Sequence, residues 1–108
     1  MAKQPETEIR KLITTALRLD GWFVFYCLQG LGCYPGISDL IAIKAGRVIF
    51  IEVKTQSGRQ SEVQRQFELQ LKASGGEYRL CRSLDDVRDL LSRVVIQQTL
   101  QVEQGQLA

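Results

Sequence analysis

The chain has 108 residues, 44% of them apolar, and carries 14 Lys and Arg against 12 Asp and Glu, a net charge of +2. That suffices for one domain, residues 1–108, around one hydrophobic core and excludes wholesale disorder, while a balance so near neutral does not by itself point to nucleic acid. Histidine is absent, which removes Ser-His-Asp and Cys-His nucleophilic sites, HExxH metalloproteases and every nuclease that uses a histidine base; carboxylates, lysine, arginine and tyrosine remain.

The spacing of Ile9, Leu12, Ile13, Ala16 and Leu17 predicts an amphipathic helix from about Glu6 to Leu19. Glu6 and Glu8 suit the positive end of its dipole, and Asp20-Gly21 ends it. Trp22 to Leu28 is rich in aromatic and β-branched residues and predicts a strand. Gln29 to Gly36, with three glycines and Pro35, is a loop long enough to carry function. Ser38–Lys44 and Arg47–Thr55 predict two strands joined by a tight Ala45-Gly46 turn. Both are apolar on both faces, as Leu40-Ile41-Ala42-Ile43 and Val48-Ile49-Phe50-Ile51 show, which implies a sheet covered by helices on two sides.

Ser61-Glu62-Val63-Gln64 fits a capping box, opening a helix that runs to about Ser74 and stops at Gly75-Gly76. Glu77–Arg82 predicts a further strand. Ser83 is expected to cap a last helix, with Asp85 and Asp86 in its first turn and Val87, Leu90, Leu91, Val94 and Val95 on its apolar face. Residues 97–108 are polar and glutamine-rich, expected as a frayed helix or loose tail. The order α-β-β-β-α-β-α describes an α/β domain: a mixed central sheet flanked by helices.

Three cysteines, Cys27, Cys33 and Cys81, without a CxxC pair argue against a disulfide framework or a structural zinc site; Cys27 and Cys81 are expected as buried thiols. No run of about 18 apolar residues is present, and the first residues lack the apolar stretch of a secretory signal. A soluble, intracellular (cytoplasmic) protein without membrane association is the expectation. Lys54, Arg59, Arg65 and Lys72 follow one another in the second half of the chain and are suited to phosphates, or simply to water.

The Ala45-Gly46 turn sets a register. If these are the two turn residues, Lys44 faces Arg47 and Asp39 sits opposite Glu52, with Cβ atoms about 4.5–5.5 Å apart. A four-residue loop centred there keeps the pairing, and an odd-numbered loop shifts it. Lys54 lies two residues beyond Glu52 and leaves on the same face. Opposed carboxylates at the end of apolar strands repel and are poorly solvated, and a divalent metal reverses that repulsion. Mg²⁺ is commonly held by one or two carboxylates, with water and phosphate completing its ligands, so the residues point to a Mg²⁺ or Mn²⁺ site with Lys54 beside it. On spacing alone, Glu52 and Lys54 fit a surface ion pair equally well, and Asp39 the start of a strand.

Pro35-Gly36-Ile37-Ser38-Asp39-Leu40 followed by Ile51-Glu52-Val53-Lys54-Thr55 resembles the PD-(D/E)xK nuclease signature. With Gly58-Arg59-Gln60-Ser61-Glu62-Val63-Gln64, Gly75-Gly76-Glu77-Tyr78 and Arg82-Ser83-Leu84-Asp85-Asp86-Val87, the chain is similar to the VRR-NUC branch from about Glu6 to Leu91. Ser38 stands where that family usually has proline. The resemblance implies a restriction-endonuclease-like fold and Mg²⁺- or Mn²⁺-dependent endonucleolytic cleavage of DNA phosphodiesters, with no organic cofactor. It implies that Asp39, Glu52 and the Val53 carbonyl bind metal and that Lys54 serves the attacking water. It also implies roles for Gln64 and for a first-helix acid, for which Glu6 is chosen over Glu8 because it lies nearer the apolar stripe. Taken without the resemblance, Glu6 is a helix-dipole acid and Gln64 a capping residue.

Stand-alone members of that branch resemble Holliday-junction-resolving enzymes and often come from phages or bacteria. This implies a homodimer with two active centres acting on branched DNA, with the Gln29–Gly36 loop and the C-terminal segment as contact regions. The rival reading is a non-catalytic DNA-binding or scaffold subunit that keeps the nuclease fold; a third is cleavage of RNA, although no recognisable RNA-binding module is present.

Overall fold

The computed structural model describes residues 4–28, 30–103 and 105. Gln29 of the predicted loop and residues 104 and 106–108 of the predicted tail lie outside the described residues. In chain order the elements are α1 (Glu6–Leu19), β1 (Phe23–Tyr26), β2 (Leu40–Lys44), β3 (Arg47–Val53), α2 (Glu62–Ala73), β4 (Glu77–Cys81), a 3-10 segment (Leu84–Leu90) and α3 (Arg93–Glu103). The strands form one mixed sheet in the order β1-β2-β3-β4, antiparallel except for the parallel β3–β4 pair. The helical crossover through α2 is what a parallel neighbour requires.

The apolar stripe read for α1 is the stripe it buries: Ile9, Leu12, Ile13, Ala16 and Leu17. These pack with Leu40 and Ala42 of β2, Ile49, Ile51 and Val53 of β3, and Val87 of the 3-10 segment in the main core. Alternate residues of β3 point the other way, where Phe67 of α2 stacks on Phe50 at 5.8 Å and Tyr78 at 6.2 Å. Helices therefore stand on both faces, but unequally. None of α2's side chains is fully buried, and over β1 and the start of β3 this second face is open: Phe23 is 64% exposed and Val48 39%. Strands apolar on both faces led to an expectation of fuller cover than α2 provides.

The hairpin has the anticipated register. Ala45 (φ 51°) and Gly46 (φ 83°) both lie in the left-handed region, the geometry of a type I′ turn. Lys44 pairs with Arg47 and Leu40 with Ile51. The capping box at α2 has both of its hydrogen bonds: Ser61 Oγ accepts from the Gln64 N–H at 3.2 Å, and Gln64 Oε1 accepts from the Ser61 N–H at 2.9 Å.

The C-terminal region differs from expectation. The single last helix is two elements, broken at Leu91, whose backbone is extended (φ −112°, ψ 148°). Ser83 makes no side-chain cap. The cap is Ser92, whose Oγ accepts from the Val95 N–H at 3.2 Å, while its own N–H donates to Asp20 Oδ1 at 3.0 Å. This re-aims α3 so that Val95 is buried and Val94, expected on the apolar face, is 66% exposed. Helix continues to Glu103, so residues 97–103 take the helical one of the two expected forms. Cys81 is buried, with its thiol pushed up to about 12 by desolvation, but Cys27 is only partly buried at the end of the β1–β2 ladder; all three cysteines are free thiols. No helix among the described residues is long and apolar enough to cross a membrane.

Candidate active site

The regular β2–β3 ladder ends at Leu40 and Ile51. One step further, where the register sets Asp39 opposite Glu52, a side chain replaces the backbone partner. Asp39 Oδ2 accepts the Val53 N–H at 2.8 Å. On its other side, the Asp39 carbonyl accepts the Cys27 N–H at 2.8 Å. Asp39 is thereby held between two strands while its second oxygen, Oδ1, lies on the side of Arg10. Ser38, at the position where proline was expected, is wholly buried, and its Oγ donates to the Leu40 carbonyl at 3.0 Å. A hydroxyl that folds back on the strand satisfies itself there.

Glu52 is 1% exposed. Its Oε2 lies 3.3 Å from Lys54 Nζ and accepts from Gln64 Nε2 at 3.0 Å. Its Oε1 is buried with no hydrogen-bond partner. Burial first, and then the negative charge of Asp39, push the Glu52 carboxyl up to about 7; Lys54 opposes this and Glu6 adds to it. Asp39 and Glu6 are thus near enough for their charges to act on Glu52. Gln64 makes two contacts at once: its oxygen caps α2 and its amide nitrogen donates to Glu52.

Glu6 stands at the edge of this cluster. It is more covered than Glu8, as its position near the apolar stripe implied. Its Oε1 meets Arg10 Nη1 at 3.5 Å, and the same Arg10 nitrogen is 3.9 Å from Asp39 Oδ1. Arg10 was not singled out from the sequence, although its spacing of four from Glu6 on one helix face was a signal. It lines a cleft of about 500 Å³ between α1 and the chain beyond β1, together with Lys11, Tyr26, Leu28 and Asp39.

The donor set can be tested against a divalent cation. Among the described residues no group of three or more His, Cys, Asp or Glu side chains forms a ready metal cage. Mg²⁺ and Mn²⁺ do not require one, since one or two carboxylates with water and phosphate suffice. An unsatisfied buried carboxylate oxygen beside a second acid is costly in a metal-free protein, and a hard cation would give that oxygen a partner. The residues fit.

The mixed sheet with helices on both faces has the layering of a restriction-endonuclease-like α/β fold. Within that class, the chain has the VRR-NUC fold. It is similar to a solved structure described as a VRR_NUC domain, with a TM-score of 0.69 and 22% identity over 79% of this chain and 91% of that one. It is also similar to one described as a VRR_NUC domain protein, with a TM-score of 0.65 and 18% identity over 93% and 91%. No protein-family model matches the sequence, and no curated protein matches it.

Proposed function

We propose that this protein is a Mg²⁺- or Mn²⁺-dependent endonuclease that hydrolyses DNA phosphodiesters, selective for branched DNA such as four-way junctions and acting as an intracellular homodimer. The observation that carries the reading is the buried Glu52, with one oxygen unpartnered, Asp39 across the hairpin and Lys54 at 3.3 Å. A structural ion pair needs no second carboxylate next to it, whereas metal-assisted phosphodiester hydrolysis does.

Asp39, Glu52 and the Val53 carbonyl would hold the cation, with Glu6 at the edge of its shell. When bound, the ion would neutralise phosphate charge and make a water more acidic. The Lys54 ammonium orients the attacking water and stabilises the charge that grows on the phosphate. Gln64 fixes the Glu52 carboxylate through its Nε2, 3.0 Å from Oε2. The 500 Å³ cleft next to Asp39, with Arg10 and Lys11 on its α1 wall, gives the substrate strand an approach.

The dimer reading is supported by β1, an edge strand whose Phe23 and Phe25 rings lie 5.3 Å apart on the open sheet face. A second copy related by a twofold axis would cover this face and supply a second active centre. The branched substrate rests on the resemblance to junction-resolving enzymes. The deciding experiment incubates the pure protein with labelled linear, flapped, forked and four-way DNAs in Mg²⁺, Mn²⁺ or chelator. Cleavage of branched DNA that needs metal and disappears in Asp39→Ala and Lys54→Ala supports the proposal. Absence of cleavage in Mn²⁺, or full activity in excess EDTA, rejects it; the first outcome favours the non-catalytic subunit.

A further inference from the structure

Between the end of β3 and the start of α2 the chain wraps around a second cleft, of about 700 Å³, lined by Arg59, Arg65 and Arg82 among neutral residues. No acid lines it, in a protein whose 14 Lys and Arg and 12 Asp and Glu are otherwise nearly balanced. Several other cations are paired with acids: Arg47 with Glu77 at 2.8 Å, Arg79 with Asp89 at 2.7 Å, Lys72 with Glu68 at 2.6 Å. Arg59 and Arg65 are exposed, and among the described residues neither guanidinium has a hydrogen bond or ion pair. The nearest acid that Arg65 influences is Glu68, which already holds Lys72 and Gln60.

The cleft is also built. Arg82 Nη1 lies 2.6 Å from the carbonyl oxygens of both Thr55 and Gly58, and Gln56 Nε2 donates back to the Arg82 carbonyl at 3.3 Å. The loop from Thr55 to Gly58 is therefore clamped to the end of β4, and Arg59 leaves from a fixed backbone. Gly58 is a neighbour of Lys54: a Cβ there would stand in ordinary contact with Lys54 Cβ, at 3.5 Å. The cleft thus adjoins the lysine of the candidate active site.

We propose that this cleft is a phosphate clamp for the DNA backbone, in which Arg59 and Arg65 bind phosphates flanking the one presented to Asp39 and Glu52. Guanidinium forks suit phosphate oxygens, and contacts of this kind position a duplex without reading its sequence. The clamp rests on the nuclease reading for the identity of the polyanion and for the phosphate between the two it holds; the binding of phosphates by Arg59 and Arg65 stands without it.

The test measures binding without cleavage, by fluorescence anisotropy of labelled duplex and four-way DNA in EDTA. The double variant Arg59→Gln/Arg65→Gln is expected to bind about tenfold more weakly, and its plot of log affinity against log salt to flatten by about two. A control pair with the same charge loss, Arg88→Gln/Arg93→Gln, is expected to change binding less than about twofold. Both variants alter exposed side chains, and unchanged melting temperatures would confirm their folding. Equal losses in the two pairs, an unaltered salt slope in the cleft pair, no DNA binding by the wild type, or a preference for duplex RNA overturns the clamp. Arginine-dependent binding by a protein that cuts nothing in Mn²⁺ would instead sink the nuclease reading and leave the clamp standing.

Discussion

Gln64 reaches from the first turn of α2 to Glu52 on β3, placing its Nε2 3.0 Å from Glu52 Oε2, while its Oε1 caps the same helix at Ser61. The orientation of the buried carboxylate is thus tied to the start of a helix. Gln64→Glu separates the two roles, because glutamate also completes a capping box. It sets a third carboxylate against Glu52, and DNA cleavage is expected to fall at least about tenfold while helix content is kept. Gln64→Ala removes both bonds and is expected to cost about 1 kcal/mol of stability as well. Circular dichroism melts alongside cleavage rates check the pair.

The raised Glu52 carboxyl makes metal-free stability depend on pH, with a definite sign. Its folded value, about 7, exceeds the ordinary 4.5, so the protonated form is favoured on folding. The stability this supplies is fully present below pH 4.5 and is lost as pH rises through 7. In EDTA the melting temperature is expected to fall by several degrees between pH 5 and pH 8.5. Glu52→Gln should flatten that fall and abolish cleavage. Mn²⁺ should raise the wild-type melting temperature more at pH 8 than at pH 5. A fall equally steep in Glu52→Gln would show that another group is responsible.

Gly36 holds the loop that leads into Asp39 against α2. It has φ +78°, and a Cβ there would lie 2.3 Å from the Val63 carbonyl oxygen. Backbone cannot yield as a side-chain tip can. Gly36→Ala is expected to cost about 2–3 kcal/mol and to lower cleavage by displacing Asp39 from Val53. Urea titration of the variant, with its midpoint compared to wild type, measures the first effect.

Ala45 is the opposite case. A non-glycine residue at φ 51° in a two-residue turn carries Cβ strain of about 1 kcal/mol. Ala45→Asn creates the favoured Asn-Gly pair and is expected to add about 0.5–1 kcal/mol without altering cleavage. A lower urea midpoint would show that the turn has a different geometry in solution.

Phe23→Lys tests the proposed self-association. Wild type is expected at twice the 12.2 kDa chain mass by light scattering, and the variant at the monomer mass, with paired cuts in a four-way junction becoming uncoordinated. A monomeric wild type, or a variant that remains dimeric, removes the open sheet face from consideration.

The hairpin was legible in the sequence because its information is local. Ala45-Gly46 sets the turn, the turn sets the register, and the register sets Asp39 against Glu52. The bounds of α1 were legible for the same reason, its stripe ending at Asp20-Gly21. The split of the last helix was not, because one of its causes lies 72 residues away, where Asp20 Oδ1 accepts the Ser92 N–H. Periodicity continued through Leu91 and masked the serine cap one residue on. Arg10 was overlooked because its partner Asp39 is distant in sequence, and the partial cover of the sheet because apolar strands do not reveal how far a helix extends over them.

The Ala45–Gly46 tip stands at the end of the sheet away from the acids. Five strand residues at about 3.3 Å each, plus the turn, put it roughly 20 Å from Asp39. Lys44 beside it is anchored by Asp20, whose Oδ2 it meets at 2.9 Å. A dye, an affinity handle or a tether to a solid support attached at this tip would leave the carboxylate end unobstructed, so single-molecule observation of the protein on DNA can be arranged through the hairpin itself.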